Sequence, residues 1–153
     1  MDESQKQIRK LSLAMNQIDG LYYQVARKLG VKDNTLAIFY ALDDGQPHSQ
    51  KQLCEEWLIP KTTINTIVKE LAAQGYLTLL IEEHTREKKI CLTPAGKQYA
   101  LSLLQPIYRM EQEAIRLTLQ EHGDAFIQAY TDFADNLKDR FDRFFETTMT
   151  EER

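Results

Sequence analysis

The chain has 153 residues, of which 42% are hydrophobic and 27% charged, and it carries a formal net charge of −4 at pH 7. That length fits about one domain, and the composition excludes disordered, collagen-like and mucin-like chains. The net acidity argues against a highly basic nucleic-acid coat protein, but a local basic patch is enough for a DNA reader.

The charge is unevenly spread. Residues 1–48 are net zero, residues 49–97 are net +1 and residues 98–153 are net −5. A site for an anionic partner is therefore expected in the middle segment, which holds Lys61, Lys69, Arg86, Lys88 and Lys89. Cys54 and Cys91 form no Cys-x-x-Cys pair, which points to a reducing compartment. The polar start of the chain lacks a signal-peptide core, and no stretch has the length of a membrane span. These features predict a cytoplasmic protein.

In chain order, Ile8, Leu11, Met15, Ile18, Leu21, Tyr22, Val25 and Leu29 recur at helical spacing, and Gly30 stops that helix. Asp33 is the expected N-cap of a second helix carrying Leu36, Phe39, Tyr40 and Leu42. Asp44-Gly45 marks a turn. Ser49 and Gln52 have the form of a capping box, opening a short helix with Leu53, Cys54 and Trp57. Leu58-Ile59-Pro60 interrupts it, and Pro60 or Lys61 opens a further helix with Ile64, Ile67, Val68 and Leu71, ended by Gly75. Two short helices so joined are a helix-turn-helix.

The period then changes. Leu77, Leu79 and Ile81 alternate, residues 82–87 are polar, and Ile90 and Leu92 alternate again, which predicts a β-hairpin with a long tip. Thr93-Pro94 reads as a cap with proline at the first helical position. The last third is helical, with Pro106 expected to kink its first helix and His122-Gly123-Asp124 marking a break. The final helix carries Phe126, Tyr130, Phe133, Leu137, Phe141 and Phe144. The predicted fold is mainly α with a small β-hairpin wing: a winged helix-turn-helix flanked by N- and C-terminal helices.

This order resembles the MarR family of transcription regulators. Leu71-Ala72-Ala73-Gln74-Gly75-Tyr76-Leu77 is similar to the family's recognition-helix exit, and Ile90-Cys91-Leu92-Thr93-Pro94-Ala95-Gly96 to its strand-to-helix junction. The family's Asp-x-Arg wing signature falls on His84-Thr85-Arg86, so the arginine is kept and the aspartate is not. Where many members have a recognition-helix arginine, this chain has Thr66. The resemblance implies a single MarR-like chain over 1–153, with dimerisation helices at 1–30 and 98–153 and a DNA-binding lobe at 31–97. It also implies a sequence-specific regulator of double-stranded DNA, a repressor acting as a homodimer on a pseudo-palindromic operator.

With Ile64, Ile67, Val68 and Leu71 facing a core, Thr62, Thr63, Asn65, Thr66 and Lys69 point outward. Asparagine and threonine can read adenine and thymine in a major groove that admits one helix. Lys61 and Lys69 suit phosphates. Ser49 and Gln50 stand at a helix N-terminus, where backbone N–H groups accept an anion. Arg86, with Lys88 or Lys89 behind it, would reach a minor groove. The alternative from another class is a winged-helix adaptor that binds protein and no DNA.

Five of the six phenylalanines lie after residue 125, a large apolar load for a helical tail. A two-fold dimer through Ile8, Leu11, Met15, Phe126, Tyr130, Phe133, Leu137, Phe141 and Phe144 would cover it. The resemblance also implies a small aromatic or phenolic effector between lobe and dimer helices, near Tyr22, Tyr23, Phe39 and Tyr40; plain core or interface packing is the favoured role of each ring. Cys54, at an apolar position, is expected to be buried and inert, and Cys91 to lie on the opposite strand face from Ile90. His48, His84 and His122 lack metal-ligand spacing, and no cofactor is expected. Glu82-Glu83 on an exposed hairpin is a poor catalytic pair, and neither a phosphate loop nor a nucleophile elbow is present. An enzyme is not expected.

Overall fold

The computed structural model describes residues 2–81 and 88–151. In chain order the elements are α1 (Glu3–Lys28), α2 (Asp33–Leu42), β1 (His48–Ser49), α3 (Gln50–Trp57), α4 (Lys61–Ala73), β2 (Leu77–Ile81), β3 (Lys88–Leu92), α5 (Pro94–His122) and α6 (Ala125–Glu151). The chain forms two compact units, Met1–Pro106 and Ile107–Arg153.

In the first unit α1 begins well before its apolar periodicity. Asp2 and Gln5 form a reciprocal capping box: the Gln5 N–H donates to Asp2 Oδ1 at 2.8 Å, and the Asp2 N–H donates to Gln5 Oε1 at 3.1 Å. The helix ends at a Leu29 cap followed by Gly30 at φ 74°. The cap of α2 differs from expectation. Lys32 is the extended N-cap residue, and Asp33 is already helical. An aspartate in the first turn still favours the helix through its dipole, without capping it.

Side chains from α2, α3, α4, the sheet and the start of α5 fill one core. Phe39, Ile38, Leu42, Leu53, Ile64, Ile90 and Leu104 are its largest fully buried members. Phe39 lies edge-on to Tyr99 (5.4 Å, 73°), and Tyr99 stacks flat on Tyr76 (4.5 Å, 7°). Such ring pairs contribute about 0.5–1.5 kcal/mol each beyond the area they bury.

The sheet is larger than a hairpin. β2 and β3 pair antiparallel from Leu77↔Leu92 to Ile81↔Lys88, and β1 adds to the far side of β3 through His48↔Ile90 and Ser49↔Lys89. The strand order is β1-β3-β2. Thr93 then ties the sheet to the next helix. Its hydroxyl donates to the Gly75 carbonyl at 2.6 Å and accepts from the Gly96 N–H at 3.0 Å, while its N–H donates to the Tyr76 carbonyl at 3.0 Å. Gly96 lies against that Tyr76 carbonyl, leaving no room for a Cβ. α5 continues through Pro106 without interruption, and the boundary between the two units falls there.

The second unit holds the rest of α5 and all of α6, joined across Gly123 at φ 69°. Phe126, Tyr130, Leu137, Phe141, Phe144 and Phe145 of α6 are exposed, and Phe133 is half-buried. Phe126 and Tyr130, then Phe141 and Phe145, lie ring over ring one helical turn apart, at 6.2 and 6.1 Å.

Candidate nucleic-acid interface

The turn between α3 and α4 is short because Leu58 takes a left-handed conformation, φ 51° and ψ 29°. A non-glycine residue there costs about 1–2 kcal/mol, and Leu58 is 85% exposed. Ile59, next along, is buried and anchors the turn. Pro60 caps α4, and its carbonyl accepts from the Ile64 N–H at 3.0 Å.

Ile64, Ile67, Val68 and Leu71 all face the core and are buried. That fixes the rotation of α4. At about 100° per residue, Thr62, Thr66 and Lys69 take the centre of the opposite face; all three are exposed. Thr63 and Asn65 flank that face, half-buried. The Thr66 hydroxyl donates to the Thr62 carbonyl at 3.0 Å. Its methyl and its acceptor lone pairs are then the groups it can offer outward. A shallow groove runs between this face and the start of α2, lined by Lys32, Asp33, Asn34, Thr62, Thr63 and Thr66.

Ser49 differs from the other expected contact residues. It is 3% exposed. Its Oγ accepts from the Gln52 N–H at 3.1 Å, and its own N–H donates to Gln52 Oε1 at 2.9 Å. Both groups are used in holding α3 to β1, so the Ser49 side chain has a structural task. Gln50 is half-buried beside it. Gln50, Lys51, Cys54 and Glu55 of α3 meet Lys61 of α4 and Lys88 of β3 around one cleft of about 440 Å³. Cys54 lines this cleft and is half-buried, not buried as expected. Cys91, on β3, is also half-buried.

Lys88 is exposed and Lys89 half-buried at the base of the wing. His84 and Arg86, with Glu82 and Glu83, lie outside the described residues. β1 is held from the other side by His48, whose Nε2 lies 3.0 and 2.9 Å from the two Asp44 oxygens. Asp44 Oδ1 also accepts from the Gln46 N–H at 2.8 Å. That backbone bond, first, and the His48 contact hold the Asp44 carboxyl below its usual range.

The four aromatic residues considered for an effector are spread out. Phe39 is fully buried in the core, and Tyr40 is half-buried against Trp57 at 5.7 Å. Tyr22 and Tyr23 are exposed on α1, as are Ile8 and Leu11, while Met15 is half-buried. Arg27 lies over the Tyr23 ring at 5.9 Å. Among the described residues, no group of three or more His, Cys, Asp or Glu is placed to hold a metal ion. No helix of the described residues is long and apolar enough to cross a membrane.

Sequence reasoning missed Lys51 and Glu55 in the cleft and Lys32 and Asn34 in the groove. Lys51 carried a usable signal, as the residue after Gln50 in the first turn of a capped helix. The groove residues carried none, because α2 meets α4 only in three dimensions.

The sequence model of the MarR family matches residues 29–87. No curated protein matches the chain. Among solved structures, a MarR family regulator from Neisseria meningitidis is 24% identical, with a TM-score of 0.70 over 96% of this chain and 99% of that one. A MarR family transcriptional regulator from Listeria monocytogenes, solved with a 26mer DNA, is 17% identical, with a TM-score of 0.65 over 87% of each chain. NadR, solved with 4-hydroxyphenylacetate, is 16% identical, with a TM-score of 0.67 over 84% of this chain and 89% of that one.

Proposed function

From the match of residues 29–87 to the MarR family model and the shared fold of the Neisseria regulator, we propose that the protein is a sequence-specific double-stranded-DNA-binding transcriptional regulator, a homodimeric repressor. The observation that carries the reading is the outward face of α4. Its core side is fixed by four buried aliphatic residues, so Thr62, Thr66 and Lys69 are presented together. A threonine face suits the thymine methyl and, through the Thr66 acceptor lone pairs, a base-edge donor in a major groove, with Asn65 at its flank for adenine. Lys61, Lys69 and Lys88 supply phosphate contacts, which position the protein but carry no sequence information. Arg86 is assigned to the minor groove next to the wing. The DNA complex of the Listeria relative supports this reading by analogy of fold.

Dimerisation through the helices of 1–30 and 98–153, with residues 31–97 as the DNA-binding lobe, completes the proposal. α1 exposes Ile8, Leu11, Leu13, Ile18 and Leu21, and α6 exposes its aromatic series. Exposed apolar surface of that extent marks an association face. A second copy of the chain would cover it and place two α4 helices about 34 Å apart, one turn of duplex DNA. The effector assignment narrows to Tyr22, Tyr23 and Tyr40, since Phe39 is closed inside the core. NadR, with its bound 4-hydroxyphenylacetate, supports a phenolic class of ligand. Such a ligand acts only by favouring the dimer form that misfits DNA.

The test is duplex binding titrated with salt. Wild type should lose affinity steeply between 50 and 200 mM salt, on the order of 0.9 log unit per log unit of salt for each phosphate contact. Arg86→Ala should bind more weakly and with a shallower slope. Retention of no duplex at low salt would overturn the reading and favour the adaptor alternative.

A further inference from the structure

Three separate elements bring lysines to one cleft: Lys51 from α3, Lys61 from α4 and Lys88 from β3. Gln50 and Cys54 complete the wall, and Glu55 is the one carboxylate on it among the described residues. Glu55 is not remote from the cations. Its carboxylate lies 3.8 Å from the Lys51 ammonium, one helical turn away, and both side chains are largely exposed. From this arrangement we infer that the cleft is a seat for a single phosphodiester group of duplex DNA, and that Glu55 is an internal competitor which occupies Lys51 until the phosphate displaces it. The inference rests on the DNA-binding reading above and deepens it.

Charge and position argue together. Among the described residues lining the cleft, the three lysines outnumber the one carboxylate by two. A phosphodiester carries one negative charge and two free oxygens, small enough for a cleft of about 440 Å³. Lys61, which lines the cleft, is the first residue of α4, so the positive end of that helix dipole lies beside it. The seat also joins the two halves of the module. A phosphate held at once by α3, α4 and β3 locks the wing base to the helix-turn-helix. The displacement of Glu55 is cheap, because an exposed i,i+4 ion pair is weak and screened by water. Glu55 therefore trims affinity for every duplex alike, since the backbone carries no sequence.

The experiment uses the full chain and a labelled random-sequence pool of duplexes of about 30 base pairs. Affinity is measured from 50 to 200 mM salt for wild type, Lys51→Gln, Glu55→Gln, the double variant, and Lys69→Gln. Lys51 and Glu55 are surface residues, and thermal melts verify that each variant stays folded. Lys51→Gln should weaken binding several-fold and lower the salt slope by about 0.9 for each subunit bound. Glu55→Gln should tighten binding about two- to fivefold. That gain should shrink when Lys51 is already glutamine, because the ammonium that Glu55 pairs with is gone. A Glu55→Gln gain that persists undiminished in the double variant would show only general repulsion and overturn the competitor role. Lys51→Gln with unchanged affinity and slope, beside a weakened Lys69→Gln, would remove the seat while leaving the DNA-binding reading standing. Wild type that retains no duplex at 50 mM salt would sink both.

Discussion

Replacing Gly96 with alanine should destabilise the lobe although the residue sits in a helix, where alanine is normally preferred. The reason is specific. A Cβ at Gly96 would be driven onto the Tyr76 carbonyl oxygen, with the carbonyl carbon at 2.8 Å and the Tyr76 Cα at 3.1 Å. These are backbone atoms and cannot swing aside. That carbonyl accepts the Thr93 N–H, and the Thr93 side chain caps α5 while holding the Gly75 carbonyl. Relief of the clash must therefore move the junction between α4, the sheet and α5. Overpacking of this kind costs about 1–3 kcal/mol. Helix propensity returns up to about 1 kcal/mol. The expected net loss is up to about 2 kcal/mol, which for a chain of this length lowers the melting temperature by up to about 8 °C. Thermal unfolding followed by circular dichroism, at matched protomer concentration, reads the effect. A variant melting at or above the wild-type temperature would refute the packing argument.

Three further outcomes follow from the same structure. Ser49→Ala should cost about 1 kcal/mol in urea unfolding, because it breaks the reciprocal capping box of α3 at a buried position; an unchanged midpoint would show the cap to be dispensable. Phe141→Asp combined with Phe144→Asp should weaken self-association about thirtyfold in sedimentation, the scale of a lost interface anchor, and a wild type that is already monomeric at micromolar concentration would defeat the dimer. The Asp44 carboxyl is held low in the folded chain, so its contribution is full above the unfolded value of about 3.9 and is lost as pH falls through the lower folded value. Asp44→Asn should therefore be less stable than wild type near neutrality and equal to it in acid, a gap of no more than about 1 kcal/mol at so exposed a carboxylate; a gap that persists below pH 2 would point to another cause.

Much of the lobe could be read from the chain because its signals are local. The Ser49–Gln52 box, the aliphatic rotation of α4 and Gly75 each act within a few residues, and each appears in the structure where the pattern puts it. The Asp2–Gln5 box obeys the same local rule and could have been found. β1 could not. Two residues show no period, and they become a strand only because β3 offers an open edge. The cleft is similar, since Lys51 and Lys88 are far apart in sequence and meet only through that pairing. Asp33 fails as a cap for a subtler reason: Lys32 already takes the extended conformation, one residue earlier. Cys54 reads as apolar on the helix pattern, yet the cleft opens beside it. Gly96 was visible as part of a junction motif, but the physical need for glycine there is a contact made twenty residues away in the chain.

The measurement that bears most directly on the account is selection of bound duplexes from a random pool by the wild-type chain. The account predicts enrichment of one A·T-containing pseudo-palindrome, with half-sites about one helical turn apart, and with affinity that falls steeply as salt rises. A pool that emerges unenriched, with no salt-dependent retention at any step, would contradict it.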